Sequence, residues 1–123
     1  MLFRYKKTYE KIAMGLLSFV PSEKDLKKLQ QTIKQYEEDD DWQLFLWKEE
    51  DIIGIIGVHI EGETAELHHI SVNPSYRNQG VGRRMVQALK DMLGEKYTIV
   101  PTKQSKEFLE KCLSEKKADI SGQ

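Results

Sequence analysis

The stretch Ile70–Met85, "ISVNPSYRNQGVGRRM", constrains the chain more than any other. It starts as a β-branched strand, breaks at Pro74, crosses a turn holding Gly80 and Gly82, and runs into a helical pattern. The first turn of a helix has backbone N–H groups with no partner and the positive end of the helix dipole, so it attracts anions. Glycine allows close approach of a bulky phosphate and supplies positive φ. Arg77, Arg83 and Arg84 add positive charge at the same place. Several amides and cations converging on one spot suit a diphosphate better than a carboxylate. The plainer alternative is a tight strand-to-helix turn with solvated arginines.

Other phosphate motifs fail on inspection. A Walker A loop requires a lysine–hydroxyl pair after its glycines, and none follows here. A dinucleotide fingerprint requires a third glycine where Met85 stands, and 123 residues are too few for a doubly wound nucleotide fold.

Around this join the chain reads as β-α-α-β-β-β-α-β-α. Leu2–Lys6 alternates as a strand. The next segment, "YEKIAMGLLSFV", carries Ile12, Leu16 and Phe19 at helical spacing and stops at Pro21. Leu26, Leu29, Ile33 and Tyr36 form the stripe of a second helix, with Ser22 as expected N-cap and Asp25 as the capping-box acid. The acidic run Glu37–Asp41 reads as a solvated connection. Trp42–Lys48, Asp51–Ile60 and Ala65–Val72 read as an antiparallel meander with turns at Glu49–Asp51 and Glu61–Thr64. Gly54 and Gly57 mark bulges or close packing in its middle strand. Val81, Met85, Leu89 and Met92 stripe the helix after the join, and Gly94 ends it. Tyr97–Val100, closed by Pro101, is a last strand, and "SKEFLEKCLSEK" a last helix with Phe108, Leu109 and Cys112 on its apolar side. The expectation is one α/β domain over residues 1–123 with a mixed sheet, its final crossover joining parallel strands.

Nineteen basic against twenty acidic residues leave a net charge of -1, so nothing global draws the chain to nucleic acid or to an anionic membrane, and an anion site has to be local. The single cysteine precludes an internal disulfide, no Cys/His spacing suggests a zinc site, and a reducing, cytoplasmic setting is expected. The first twenty residues begin basic and contain an apolar run, but Glu10 and Lys11 interrupt it and no small-residue cleavage site follows. No segment approaches the ~18 apolar residues a bilayer span needs.

"VNPSYRNQGVG", Val72–Gly82, resembles the acetyl-CoA-binding motif of the GNAT family of N-acetyltransferases, and the order of elements is similar to that family's over nearly the whole chain. The segments "YEKIAMGLLSF" and "HHISVNPS" further resemble the small members found in bacterial riboflavin operons. The resemblance implies a GNAT-like α/β fold and acetyl transfer from acetyl-CoA to an amine of a small molecule or protein, by direct attack and with no metal. It implies a pyrophosphate cradle at Arg77, Asn78, Gln79, Gly80, Val81, Gly82 and Arg83. It also implies that the fourth and fifth strands part, so that Ile70, Ser71 and Val72 offer free backbone groups to the pantetheine arm.

An amine of pKa near 10.4 is mostly protonated at pH 7, so a base helps. Glu66 occupies the fourth-strand position of the catalytic glutamate in histone-type members and is the first candidate. His68, two residues on, shares its face unless a bulge intervenes, and is the second; His69 is expected to point the other way. Backbone N–H groups near Val72 are candidates to hold the oxyanion.

The chain departs from the family at its end. Leu109 stands where many members carry a proton-donating tyrosine, Thr102 and Ser105 replace an asparagine and an alanine, and the closing strands are nearly missing before Gln123. Cys112, Tyr76 and Tyr97 are the alternative donors. Two functions follow from the resemblance: an N-acetyltransferase, supported by the cradle, Glu66 and His68, or a non-catalytic coenzyme A binder, supported by Leu109. An uncovered last strand also invites pairing in a homodimer that completes the site.

Overall fold

A computed structural model describes residues 1–111. Five strands form one sheet in the order β1-β2-β3-β4-β5. They are β1 (Leu2–Arg4), β2 (Trp42–Lys48), β3 (Ile52–Glu61), β4 (Thr64–Val72) and β5 (Thr98–Pro101). The first four are antiparallel neighbours and β5 runs parallel to β4, as a strand–helix–strand crossover requires. Helices α1 (Glu10–Leu17) and α2 (Leu26–Glu38) lie between β1 and β2, and α3 (Val81–Leu93) lies between β4 and β5. Residues 106–111 are helical; Cys112 and the expected remainder of that helix fall outside the described residues.

The sheet is buried on both faces. On one, Val81, Met85, Val86 and Leu89 of α3 pack over Ile56, Val58, Leu67, Ile70 and Val72. On the other, Ala13, Leu16 and Leu17 of α1 and Leu29, Ile33 and Tyr36 of α2 cover Leu44, Leu46 and Ile55. Each of the buried Val, Leu, Ile and Met side chains among these, moved from water into this interior, contributes roughly 1.5–3 kcal/mol. Both glycines of β3 mark close packing. A Cβ on Gly54 would stand 2.6 Å from Met85 Sδ of α3, and one on Gly57 would collide with the Tyr36 hydroxyl of α2.

Several details differ from expectation. The buried stripe of α1 is Ala13, Leu16 and Leu17, while Ile12 and Phe19 are exposed, because the helix ends at Leu17 and docks through a neighbouring face. Leu26 and Met92 are likewise exposed ends of otherwise correct stripes. Ser22 is not the cap of α2: it sits in a short 3-10 turn, Pro21–Glu23, and Asp25 occupies the N-cap without a side-chain bond. That turn swings Glu23 inward, where it is 2% exposed. Pro101 is the last residue of β5 rather than its stop, which an edge strand tolerates.

Candidate functional site

Three arrangements converge near the C-terminal half of β4. The first is the turn into α3. Asn73 caps a short 3-10 turn at Pro74–Tyr76, its Oδ1 accepting from the Ser75 amide at 2.9 Å. Asn78 follows at φ 65° and Gly80 at φ 75°. Both lie in the left-handed region, which costs most residues about 1–2 kcal/mol and favours Gly or Asn. Gly80 is the N-cap of α3 and has no side chain to satisfy the helix's first amides. The glycine therefore serves two ends: it turns the chain, and it leaves the helix mouth open.

The cations around this mouth are not equivalent. Arg84 is engaged in structure, its guanidinium donating to the Gln79 carbonyl at 3.0 Å and pairing with Glu49 at 3.1 Å. The Trp47 indole N–H and then this arginine hold the Glu49 carboxyl below the usual range. Arg77 donates through Nε to the Val72 carbonyl at 3.1 Å, and its guanidinium lies 5.7 Å from the Phe19 ring centroid. Exposed Phe19, expected in a helix core, thus shelves a cation at the end of the sheet. Arg83 is half-buried on the first turn of α3. Val72, Arg77, Asn78, Val81 and Gly82 line one cleft together with Phe108 and Lys111. Lys111 was not anticipated, because only tertiary packing brings residues 106–111 against the turn.

The second arrangement is the open side of β4. Strand β5 pairs with Thr64 to Leu67 and no farther. There Thr102 and Ser105 take over: the Leu67 carbonyl accepts from Thr102 Oγ1 at 2.8 Å and from Ser105 Oγ at 2.6 Å. These two residues terminate the ladder and bound the gap between the parted strands. The Asn73 amide bonds Ile53 of β3 and the Val72 carbonyl meets Arg77. By antiparallel alternation, Ile70 and Val72 turn their backbone groups to the gap while those of Ser71 face β3. Leu109 is half-buried against the α3-side core, in the role of a packing residue.

The third arrangement is a bulge. Gly57 pairs with His69 but Val58 with Leu67, so His68 is an extra residue in β4. The bulge corrects the expected facing of His69. Ala65, Leu67, Ile70 and Val72 all belong to the α3-side core, so the extra residue puts Glu66, His69 and Ser71 together on the α1–α2 side. His69 is buried there, with Nε2 2.8 Å from Glu23 Oε1 and Nδ1 2.5 Å from the Tyr36 hydroxyl. Thr32 donates to the other Glu23 oxygen at 2.9 Å. Burial works to raise the Glu23 pKa, but the bonds from His69 and Thr32 outweigh it and the net direction is down. Burial and then Glu23 push Tyr36 well above its ordinary value, so its hydroxyl keeps its proton and donates to His69. No spacing in the sequence points to this chain of bonds, since its members are 46 residues apart at the extremes.

Beside it stand the expected base candidates. Glu66 Oε1 accepts from His59 Nδ1 at 3.0 Å and lies 3.6 Å from His68 Nε2, too far for a hydrogen bond. The ring centroids of His59 and His68 are each 4.6 Å from that of Trp42. The His59 bond leads the effects that hold Glu66 below the ordinary carboxyl range. Burial, then His69, lowers His68 from 6.5, which leaves its imidazole neutral at pH 7. Residue chemistry at this spot therefore includes one carboxylate and one uncharged imidazole, within reach of each other.

Comparison with known proteins agrees with this architecture. Residues 10–113 match the acetyltransferase (GNAT) family model. A Bacillus methanolicus protein, described as an uncharacterized N-acetyltransferase in the lysA 3' region, is 63% identical over 114 residues, covering 91% of this chain and 94% of that one. Among solved structures, the aminoglycoside 6'-N-acetyltransferase AAC(6')-IG of Acinetobacter haemolyticus superposes with a TM-score of 0.74 at 14% identity, over 92% of this chain and 86% of its own. A GNAT family acetyltransferase of Elizabethkingia anophelis, solved with acetyl-CoA bound, gives 0.69 at 20% identity over 93% and 72%. On its sequence match, its close relative and its fold, the chain belongs to the GNAT family of acetyltransferases.

Proposed function

We propose that this protein transfers the acetyl group of acetyl-CoA to an amine by direct attack in a ternary complex. The observation that carries the reading is the conjunction of the uncapped, left-handed Gly80 at the mouth of α3 with a β4 whose partner strand stops at Leu67. A diphosphate satisfies the first, and an amide-bearing pantetheine arm satisfies the second through the gap-facing groups of Ile70 and the Val72 amide. The turn from Arg77 to Arg83 forms the cradle, with Lys111 as an additional cation. His68, neutral and next to the parted strands, is the preferred proton acceptor. Glu66, more acidic and tied to His59, orients or relays. The Val72 amide, turned to the gap while those of Ser71 and Asn73 bond β3, is the candidate donor to an oxyanion.

The second reading, a coenzyme A binder without turnover, draws on Leu109, which packs against the core and has no proton to give. Titrating the protein with acetyl-CoA by calorimetry, then measuring free thiol release over an amine panel, separates the two. Binding with turnover on an amine supports the transferase, whereas binding with no turnover on any amine supports the binder. Gly80→Glu, which puts a carboxylate and a strained backbone in the cradle, is expected to abolish binding. Unchanged affinity in that variant removes both readings.

The finer likeness to riboflavin-operon members rests on two segments and names no acceptor. A cytoplasmic setting fits the single cysteine, and no helix among the described residues is long and apolar enough to cross a membrane. Among the described residues β5 has no neighbour beyond β4, which supports pairing in a homodimer, and a monomer by light scattering would remove it.

A further inference from the structure

The chain has three histidines, and the fold gathers two of them around Glu66. His59 of β3 and Glu66 of β4 are cross-strand partners, and His68 enters the same group because it is the bulged residue. One ligand atom from each of the three lies within 4.8 Å of the others. The geometry points to a binding site for a divalent transition-metal ion of the zinc class, held by His59 Nδ1, Glu66 Oε1 and His68 Nε2 with one position open.

Distances carry this furthest. Zinc bonds of about 2.0–2.2 Å in a tetrahedron set neighbouring ligand atoms about 3.4 Å apart. Glu66 Oε1 is 3.0 Å from His59 Nδ1 and 3.6 Å from His68 Nε2, so both pairs need to shift by only a few tenths of an ångström. The His68 Nε2 atom is enclosed and has no hydrogen-bond partner among the described residues, so a metal would occupy a lone pair that none of their groups engages. Trp42 lies against both imidazoles and limits their rotation, which reduces the ordering cost of assembling the site. Donor chemistry chooses the ion: two imidazoles and one carboxylate suit zinc, cobalt, nickel or copper, whereas calcium and magnesium require more oxygens than are present.

One consequence rests on the acetyl-transfer reading. An ion here takes the lone pairs of both Glu66 and His68, so zinc inhibits the transferase by occupying its base candidates. Metal binding itself does not depend on that reading, and it is measured without acetyl-CoA.

The experiment uses tag-free, metal-stripped full-length protein titrated with zinc chloride by calorimetry, with cobalt chloride as an absorbance probe of tetrahedral coordination. The expected result is saturable binding of one ion per chain. Loss of an outer-shell partner already costs a metal site about 10–100-fold, so removal of a direct ligand in His59→Ala or Glu66→Gln should weaken binding about tenfold or more. Circular dichroism melts confirm that each variant is folded, and Glu66→Gln serves if His59→Ala does not fold. Cys112→Ser should bind as the parent does. No saturable binding, a loss below that tenfold mark in the folded variants, or loss only in Cys112→Ser overturns the assignment.

Discussion

Gly57→Ala tests how the buried chain of hydrogen bonds is held. The backbone there is not left-handed, so alanine meets no conformational barrier and even gains about 0.4–1 kcal/mol through the unfolded chain. Its methyl group has nowhere to go. It would collide with the Tyr36 hydroxyl, stand 2.6 Å from Tyr36 Cζ and 3.0 Å from Leu44 Cδ1. Tyr36 cannot withdraw freely, because its hydroxyl is bonded to His69 and its ring is buried. Overpacking costs about 1–3 kcal/mol, and displacing the hydroxyl strands a buried partner at a similar cost. The net loss is about 1–5 kcal/mol after the unfolded-state gain. For a chain of this size that lowers the melting temperature by at least about 3 °C. Thermal melts of the parent and four variants decide it. Gly15→Ala is the control, because nothing lies within 4 Å of a Cβ at that exposed helical position and its melting temperature should rise slightly. In a Tyr36→Phe background the ring is untethered, so Gly57→Ala should cost less by about 1 kcal/mol or more. A Gly57→Ala melting temperature within about 2 °C of the parent, or strict additivity with Tyr36→Phe, would mean that the close approach of α2 to β3 is wrong.

Three other substitutions test the network and the chemistry. Glu23 has a folded pKa below its ordinary 4.5, so its contribution to stability is fully present above 4.5 and is lost as pH falls through the lower folded value. Glu23→Gln should therefore lower the urea midpoint at pH 7 and flatten its acid dependence; parallel profiles for parent and variant would contradict the pairing. His68→Ala should reduce amine-dependent thiol release by about 10²–10⁴-fold while acetyl-CoA affinity holds, with Glu66→Gln the milder of the two. A loss of only a few-fold in both leaves neither residue as the base.

Pattern and turn chemistry alone decided much of this protein. Alternation and aromatic content mark Trp42–Lys48 as a strand to the residue. The Gly94 stop and the strand–turn–helix join are legible because glycine, and to a lesser degree asparagine, sits comfortably at positive φ. These signals are local, and local sterics belong to the chain itself.

Tertiary structure decided which faces meet. The bulge at His68 reverses the facing of His69, and a strict two-residue period cannot foresee one extra residue. Glu23, His69, Tyr36 and Thr32 come together only because a short turn swings Glu23 under the sheet. His59 meets Glu66 and His68 because the hairpin register pairs β3 with β4 at that level. Thr102 and Ser105, read in the sequence as departures from a family pattern, turn out to close the β4 ladder at Leu67. Such groupings depend on contacts between residues far apart in the chain, and their free energy arises only once the helices and sheet have docked.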